Sequence, residues 1–333
     1  MAWKDIIYLH KYTANEIEQL SEKTSAEISI DISGYIGFSE EQLHALNRIL
    51  LKQDYTIALQ YGVNYLEKKE GLIYNLDILK YIPNVKNLGI LNQEYKEAIE
   101  SFDFLTNTPL LTYFYTLGLF KKSISFEPLR QLKYLKKLKL DLGLNKKQQE
   151  VINDIITSLE FLYVPEFDLA KTPLCPALKF FSIDKKLISS ELLPQLFPNL
   201  QSLYLKKIKN CEDFTFISDM INLRRLTLHW IFQFDTIPNL SKLSELEILE
   251  IVGSPNLQYG LEYIYDLKKL RGLMLTELQF PVASSFTPLT KLRKLESVYI
   301  NFRKNNKETS IIEKFVEDNN WAYMQPGLAG VTI

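Results

Sequence analysis

The side chains able to act as nucleophiles, general bases or metal ligands are few in this chain. His10, His44 and His229 are its only histidines, and Cys175 and Cys211 its only cysteines. A zinc site needs three or four converging nitrogen and sulfur ligands, and a histidine triad needs a base oriented by a third group. The three histidines stand at unrelated positions, with no cysteine or acidic partner at ligand spacing. There is no GxxxxGK[ST] loop and no GxGxxG to cradle a phosphate. The expectation is a chain with no catalytic residue, no metal and no cofactor. Two cysteines are too few for a disulfide framework, so a reducing, cytoplasmic setting is expected.

The elements that would have to position any site repeat along the chain. Between Val85 and Ile300 one phrase recurs: an apolar residue, two variable ones, a second apolar, one variable, a third apolar. Its copies are Val85-Leu88-Ile90, Leu135-Leu138-Leu140, Leu159-Leu162-Val164, Leu178-Phe181-Ile183, Leu200-Leu203-Leu205, Leu223-Leu226-Leu228, Leu246-Leu249-Ile251, Leu270-Leu273-Leu275 and Leu295-Val298-Ile300. A degenerate copy, Leu110-Tyr113-Tyr115, fills the gap after the first, and the central residues then step by 25, 25, 24, 19, 22, 23, 23, 24 and 25. Several copies share a lead-in, as in Ile82-Pro83-Asn84, Phe197-Pro198-Asn199 and Met220-Ile221-Asn222. Short strands stacked in parallel, each joined to the next by a return segment, bury such a pattern in one continuous core.

The phrase and its period resemble the LxxLxL unit of leucine-rich repeat proteins, clearly over residues 82 to 303 and more weakly around Ile28-Ser29-Ile30 and Ile57-Ala58-Leu59. The resemblance implies an α/β fold: a curved, horseshoe-like solenoid of twelve strands with a parallel sheet on the concave face and helices or irregular segments outside. Residues 1–333 would form one such domain, with degenerate repeats and a cap in 1–80, clear repeats in 81–303 and a helical cap and tail in 304–333. The family's usual asparagine, three residues past the last apolar, is replaced by Gly143, Phe167, Lys186, Ile208, Ile231, Ser254, Leu278 and Arg303. The turns are therefore expected to pack through apolar side chains. Cys211-Glu212-Asp213 resembles the cysteine-x-aspartate of a ubiquitin-ligase domain found in some secreted bacterial relatives. That domain is large and separate, whereas here the repeats run on past the cysteine, so a buried or loop thiol is expected.

Helices are expected over residues 40 to 52, behind a capping box from Ser39 to Gln42, and around Ser310–Val316 before Pro326-Gly327. Helical spacing also marks Tyr95–Leu105 and Lys146–Ile156, the second capped by Asn145, while Phe232–Ile237 reads as irregular. Thirty-nine basic against 40 acidic residues give no field that would draw nucleic acid or an anionic membrane. No segment reaches 18 apolar residues.

What remains is the open face of the strands, formed by residues flanking the central apolar and the one after the last apolar. Its middle gathers Phe161, Tyr163, Phe180, Tyr204, Arg225, His229 and Trp230, bordered by Lys137, Lys139 and Asp141 on one side and Lys206, Lys207 and Glu250 on the other. Aromatics and arginine bury large areas at low rotamer cost and dominate protein-binding hot spots. The expected partner is a protein, held by Phe161, Tyr163, Phe180, Tyr204, Lys206, Arg225, His229 and Trp230, with no nucleic acid and no membrane. Resemblance to cytosolic bacterial relatives implies an immunity-type protein that neutralises a toxin, or a secreted effector that binds a host protein. A nucleic-acid binder, using Lys121-Lys122, Lys136-Lys137, Lys185-Lys186 and Lys206-Lys207 as a basic stripe, is the weaker alternative, since these pairs fall at different phases with acidic residues between them.

Overall fold

The computed structural model describes residues 6–20, 29–33, 37–60, 70–92, 98–279 and 282–324, and the chain packs as two compact units, Met1–Val164 and Pro165–Ile333. In the first, β1 (Ile6–Tyr8), β2 (Ser29–Ser33), β3 (Thr56–Gln60), β4 (Asn87–Asn92), β5 (Tyr113–Gly118), β6 (Lys137–Lys139) and β7 (Phe161–Asp168, crossing the boundary) pair in chain order, all parallel. In the second, β8 (Phe180–Ile188), β9 (Ser202–Lys206), β10 (Arg225–His229), β11 (Ile248–Val252), β12 (Gly272–Leu278), β13 (Ser297–Phe302) and β14 (Ala322–Tyr323) do the same. Each unit is a leucine-rich repeat solenoid. The central apolars stand directly opposite one another: Leu88, Phe114, Leu138 and Leu162 in one unit, Phe181, Leu203, Leu226, Leu249, Leu273 and Val298 in the other. All are buried.

Two registers differ from the sequence expectation. Opposite Leu88 lies Phe114, not Tyr113, so the degenerate copy is Leu111-Phe114-Thr116 and the steps around it are 26 and 24. A strand has a period of two, so a one-residue slip exchanges its faces. Phenylalanine enters the core without a hydroxyl to satisfy, and Tyr113 and Tyr115 are sent to the open face. Upstream, Ile30 pairs with Ile57, so the second strand is centred two residues later than Ile28, which lies outside the described residues. Each unit also ends in a strand the sequence did not suggest, β1 and β14.

Most return segments are not α-helical, because their apolar residues recur every three positions. Leu129-Leu132-Leu135, Ile217-Met220-Leu223, Ile264-Leu267-Leu270 and Leu289-Leu292-Leu295 each step inward through hydrogen bonds from residue i to i−3. A spacing of three matches the tighter 3₁₀ turn and stacks those side chains on one line. The segment expected as a helix over Tyr95–Leu105 thus contains a 3₁₀ turn at Asp103–Asn107, while residues 93–97 lie outside the described set.

True helices occur where the period changes. After α1 (Ala14–Gln19), α2 (Glu40–Leu50) opens on the Ser39–Gln42 capping box and buries Leu43, Leu46, Ile49 and Leu50. In α3 (Lys146–Ile155) the cap is Asn145. The second unit holds α4 (Leu193–Leu196) and α5 (Asn306–Asp318), which packs on β13. Pro326-Gly327 lies outside the described residues. Phe232–Ile237 is irregular, with one bridge from Thr236 to Tyr259.

The turns after the strands combine two devices. Phe167, Ile208, Ile231 and Leu278 are buried where the family's asparagine is expected. Two residues beyond Ile208, Ile231 and Ser254 come Asn210, Gln233 and Asn256, whose side-chain amides donate to Leu187 O (2.7 Å), Ile208 O (2.6 Å) and Phe232 O (2.6 Å) of the preceding turn. An amide ladder is therefore present, displaced along the chain. The lead-in asparagines form another: Asn199 and Asn222 donate to Pro176 O and Pro198 O, one repeat back, at 3.0 and 2.8 Å.

Candidate protein-binding face

In the second unit β9, β10 and β11 end in the same backbone corner, which recurs as a bulge near the end of β12. The second residue past the last apolar takes a left-handed conformation at Lys207 (φ 53°), Trp230 (φ 57°), Gly253 (φ 68°) and Glu277 (φ 60°). This corner turns the chain away from the sheet while its amide stays paired, as in Lys207 N to His229 O (2.8 Å) and Trp230 N to Val252 O (2.7 Å). Glycine suits such a corner and tryptophan does not, since a side chain there costs about 1–2 kcal/mol. The Trp230 ring lies on Gly253, where a Cβ would come within 2.5 Å of Trp230 Cε3. Trp230 remains 36% exposed, its ring centroid 6.5 Å from that of the exposed Phe232.

Across β9, β10 and β11 runs a chain of polar side chains. The Tyr204 hydroxyl lies 3.0 Å from His229 Nδ1, and His229 Nε2 lies 3.6 Å from Glu250 Oε2. The direction of the first contact follows the histidine tautomer: with the proton on Nε2, towards the carboxylate, Tyr204 donates to Nδ1. Glu250 is only 3% exposed, and among the described residues neither its Oε1 nor His229 Nε2 has a hydrogen-bond partner. Beside this chain Lys206 Nζ lies 3.3 Å from Asp184. Burial first, then the carboxylates of Asp184 and Glu250, push the Tyr204 phenol up to about 12. A phenol held protonated that far donates a hydrogen bond and does not attack.

His229 thus has the acidic partner that linear spacing hid. It comes after the last apolar of one repeat, Glu250 after the central apolar of the next, and on adjacent parallel strands those positions are diagonal neighbours. Glu250, expected in a polar border, is instead buried within the face.

In the first unit Tyr113, Lys137 and Phe161 stand opposite one another, with Tyr115, Lys139 and Tyr163 as the next row. Lys139 Nζ sits 5.2 Å from the Tyr163 ring centroid, and Tyr113 stacks on Tyr115 at 5.3 Å. Phe161 is 6% exposed, 6.5 Å from Tyr113, and so offers little surface, contrary to its expected place among the exposed aromatics. Tyr163, Phe180, Tyr204, Lys206, Arg225 and His229 are half-buried. Phe161 and Tyr163 belong to the first unit, the other six expected residues to the second. Tyr113 and Tyr115 were missed through the register slip, and Asp184 because its role depends on Lys206 one strand away.

The thiols are buried, and burial pushes Cys175 up to about 12 and raises Cys211, whose Sγ lies 3.1 Å from Asp213 O and 3.4 Å from Ser190 Oγ. Neither offers a thiolate nucleophile near neutral pH. Among the described residues no group of three histidine, cysteine, aspartate or glutamate side chains is placed to hold a metal ion, and no helix is long and apolar enough to cross a membrane.

No protein-family profile matches the chain, and no curated protein matches it in sequence. Among solved structures it is similar to the TLR13–ssRNA13 complex (17% identity, TM-score 0.45, 89% of this chain and 42% of that one) and to the Drosophila Toll–Spatzle complex (13%, 0.47, 87% and 42%). It is also similar to a Leptospira interrogans LRR protein (15%, 0.33, 97% and 100%). The chain spans 42% of the length of the first two. Its own repeats and strand register give it the leucine-rich repeat fold.

Proposed function

We propose that this protein is a non-enzymatic recognition scaffold that holds a partner protein on the open face of its second unit, through Phe180, Tyr204, Lys206, Arg225, His229 and Trp230. The observation that carries this is the fixed order of these side chains: Tyr204 is held on His229 at 3.0 Å and Lys206 on Asp184 at 3.3 Å, beside a partly exposed tryptophan in a strained backbone. Side chains fixed beforehand lose less entropy on association, and strain of this kind collects at binding sites. Tyr163 supplies a similar contact in the first unit. The scaffold works in the cytoplasm, without cofactor, nucleic acid or membrane.

Within this class it acts as an immunity-type protein that neutralises a cognate toxin. Two experiments test it. Affinity capture compares the native chain with Tyr204→Ala/Trp230→Ala, after circular dichroism shows the variant folded. A partner retained by the native chain and lost by the variant supports the open face, and one retained equally by both refutes it. Co-expression with a toxin encoded beside its gene should restore growth. A captured host protein would favour the effector reading instead.

A further inference from the structure

We propose that the open face of β5, β6 and β7, in the first unit, is a second docking site whose occupant is an acidic segment of a partner protein. Lys137 and Lys139 stand two residues apart on one face of β6, so their Cα atoms are about 7 Å apart. Aromatic residues flank both, Tyr113 and Phe161 beside Lys137, Tyr115 and Tyr163 beside Lys139. Both lysines are half-buried, and among the described residues neither ammonium lies within ion-pair distance of a carboxylate. Asp141, two residues on, partly offsets the loss of solvation that disfavours the charged form of Lys139. The surrounding segment, residues 121–147, carries nine lysines and arginines against two acidic residues, in a chain whose charges balance only when taken as a whole.

Two partly desolvated ammonium groups gain most from anions that dock directly on them. Burial holds the Tyr113 phenol protonated, so it adds a neutral O–H donor beside Lys137. Polar tips of this face are therefore mainly donors, and carboxylates are mainly acceptors. Single-stranded nucleic acid also offers anions, but it needs open ring faces for base stacking. Here Tyr113 and Tyr115 stack on each other, Tyr115 covers Gly89, Lys139 sits over Tyr163, and Phe161 is buried. Charge is available and stacking surface is not, which favours a protein segment bearing aspartate or glutamate.

The test uses the full chain and three fluorescent probes at low salt: a synthetic peptide alternating glutamate and leucine, the same peptide with glutamine for glutamate, and oligothymidine. The glutamate peptide should bind at least about tenfold more tightly than the glutamine peptide, the equivalent of two modest charge-assisted contacts, and more tightly than oligothymidine. Lys137→Gln/Lys139→Gln, with its fold verified by circular dichroism, should lose that preference, whereas Tyr204→Ala should keep it. Equal binding of the two peptides, an unchanged preference in the double variant, or tighter binding of oligothymidine would overturn the proposal. Because Tyr204 lies in the second unit, these outcomes leave the role proposed for that unit to be judged separately.

Discussion

At the scale of residues, Trp230 and the Tyr204–His229–Glu250 chain carry most of the consequences. Gly253 is held at φ 68° with the Trp230 ring on it, so Gly253→Ala is expected to cost about 2 kcal/mol, combining left-handed strain with steric overlap. In a Trp230→Gly background the overlap vanishes, and the same change should cost about 1 kcal/mol. Urea denaturation of the four proteins measures both numbers, and strictly additive effects would contradict the packing described. Tyr204 ionises at about 12 in the folded protein, above the usual phenol value near 10, so the folded state keeps its proton where the unfolded state has lost it. Its contribution to stability is complete below pH 10 and disappears as pH rises toward 12. Tyr204→Phe should therefore flatten the fall in stability over that window, as followed by thermal melts. Linear order did not reveal this chain, because the three side chains are 25 and 21 residues apart and meet only once the strand register is set. It did mark Tyr204, His229 and Trp230 as neighbours on the open face, through the period alone.

At the scale of elements, the strands were legible and the return segments only partly so. Central leucines recurring every 22 to 25 residues from Phe181 to Val298 placed β8 to β13 correctly, since only a parallel stack buries them all. The degenerate copy failed because Tyr113 and Phe114 both satisfy an apolar pattern, and the choice between them depends on whether a hydroxyl is buried. Period three was present in Leu129-Leu132-Leu135 but is easily mistaken for noise on a helical period. The asparagine position looked empty, yet Asn210, Gln233 and Asn256 recur at steps of 23 and close the turns from two residues further on. Asn210 both donates to Leu187 O and accepts from Leu187 N, so Asn210→Ala should destabilise the second unit by about 1–2 kcal/mol. It should also speed hydrogen exchange at the Leu187 amide. A protection factor equal to that of the native chain would remove the ladder from the account.

At the scale of the whole molecule, the formal net charge of −1 leaves no long-range field to gather charged partners, so specificity must reside in local arrangements. Binding at the second unit is accordingly expected to change less than about threefold between low and physiological salt, which isothermal titration at two ionic strengths would measure. The central claim is that a partner protein meets the open strand face and not the outer return segments. Site-specific photo-cross-linking tests it most directly, with a photoreactive phenylalanine analogue placed in turn at Tyr204 on the open face and at Glu262 in an outer return segment. Partner should become covalently attached from position 204 and not from 262. Attachment from 262 with none from 204 would contradict the account.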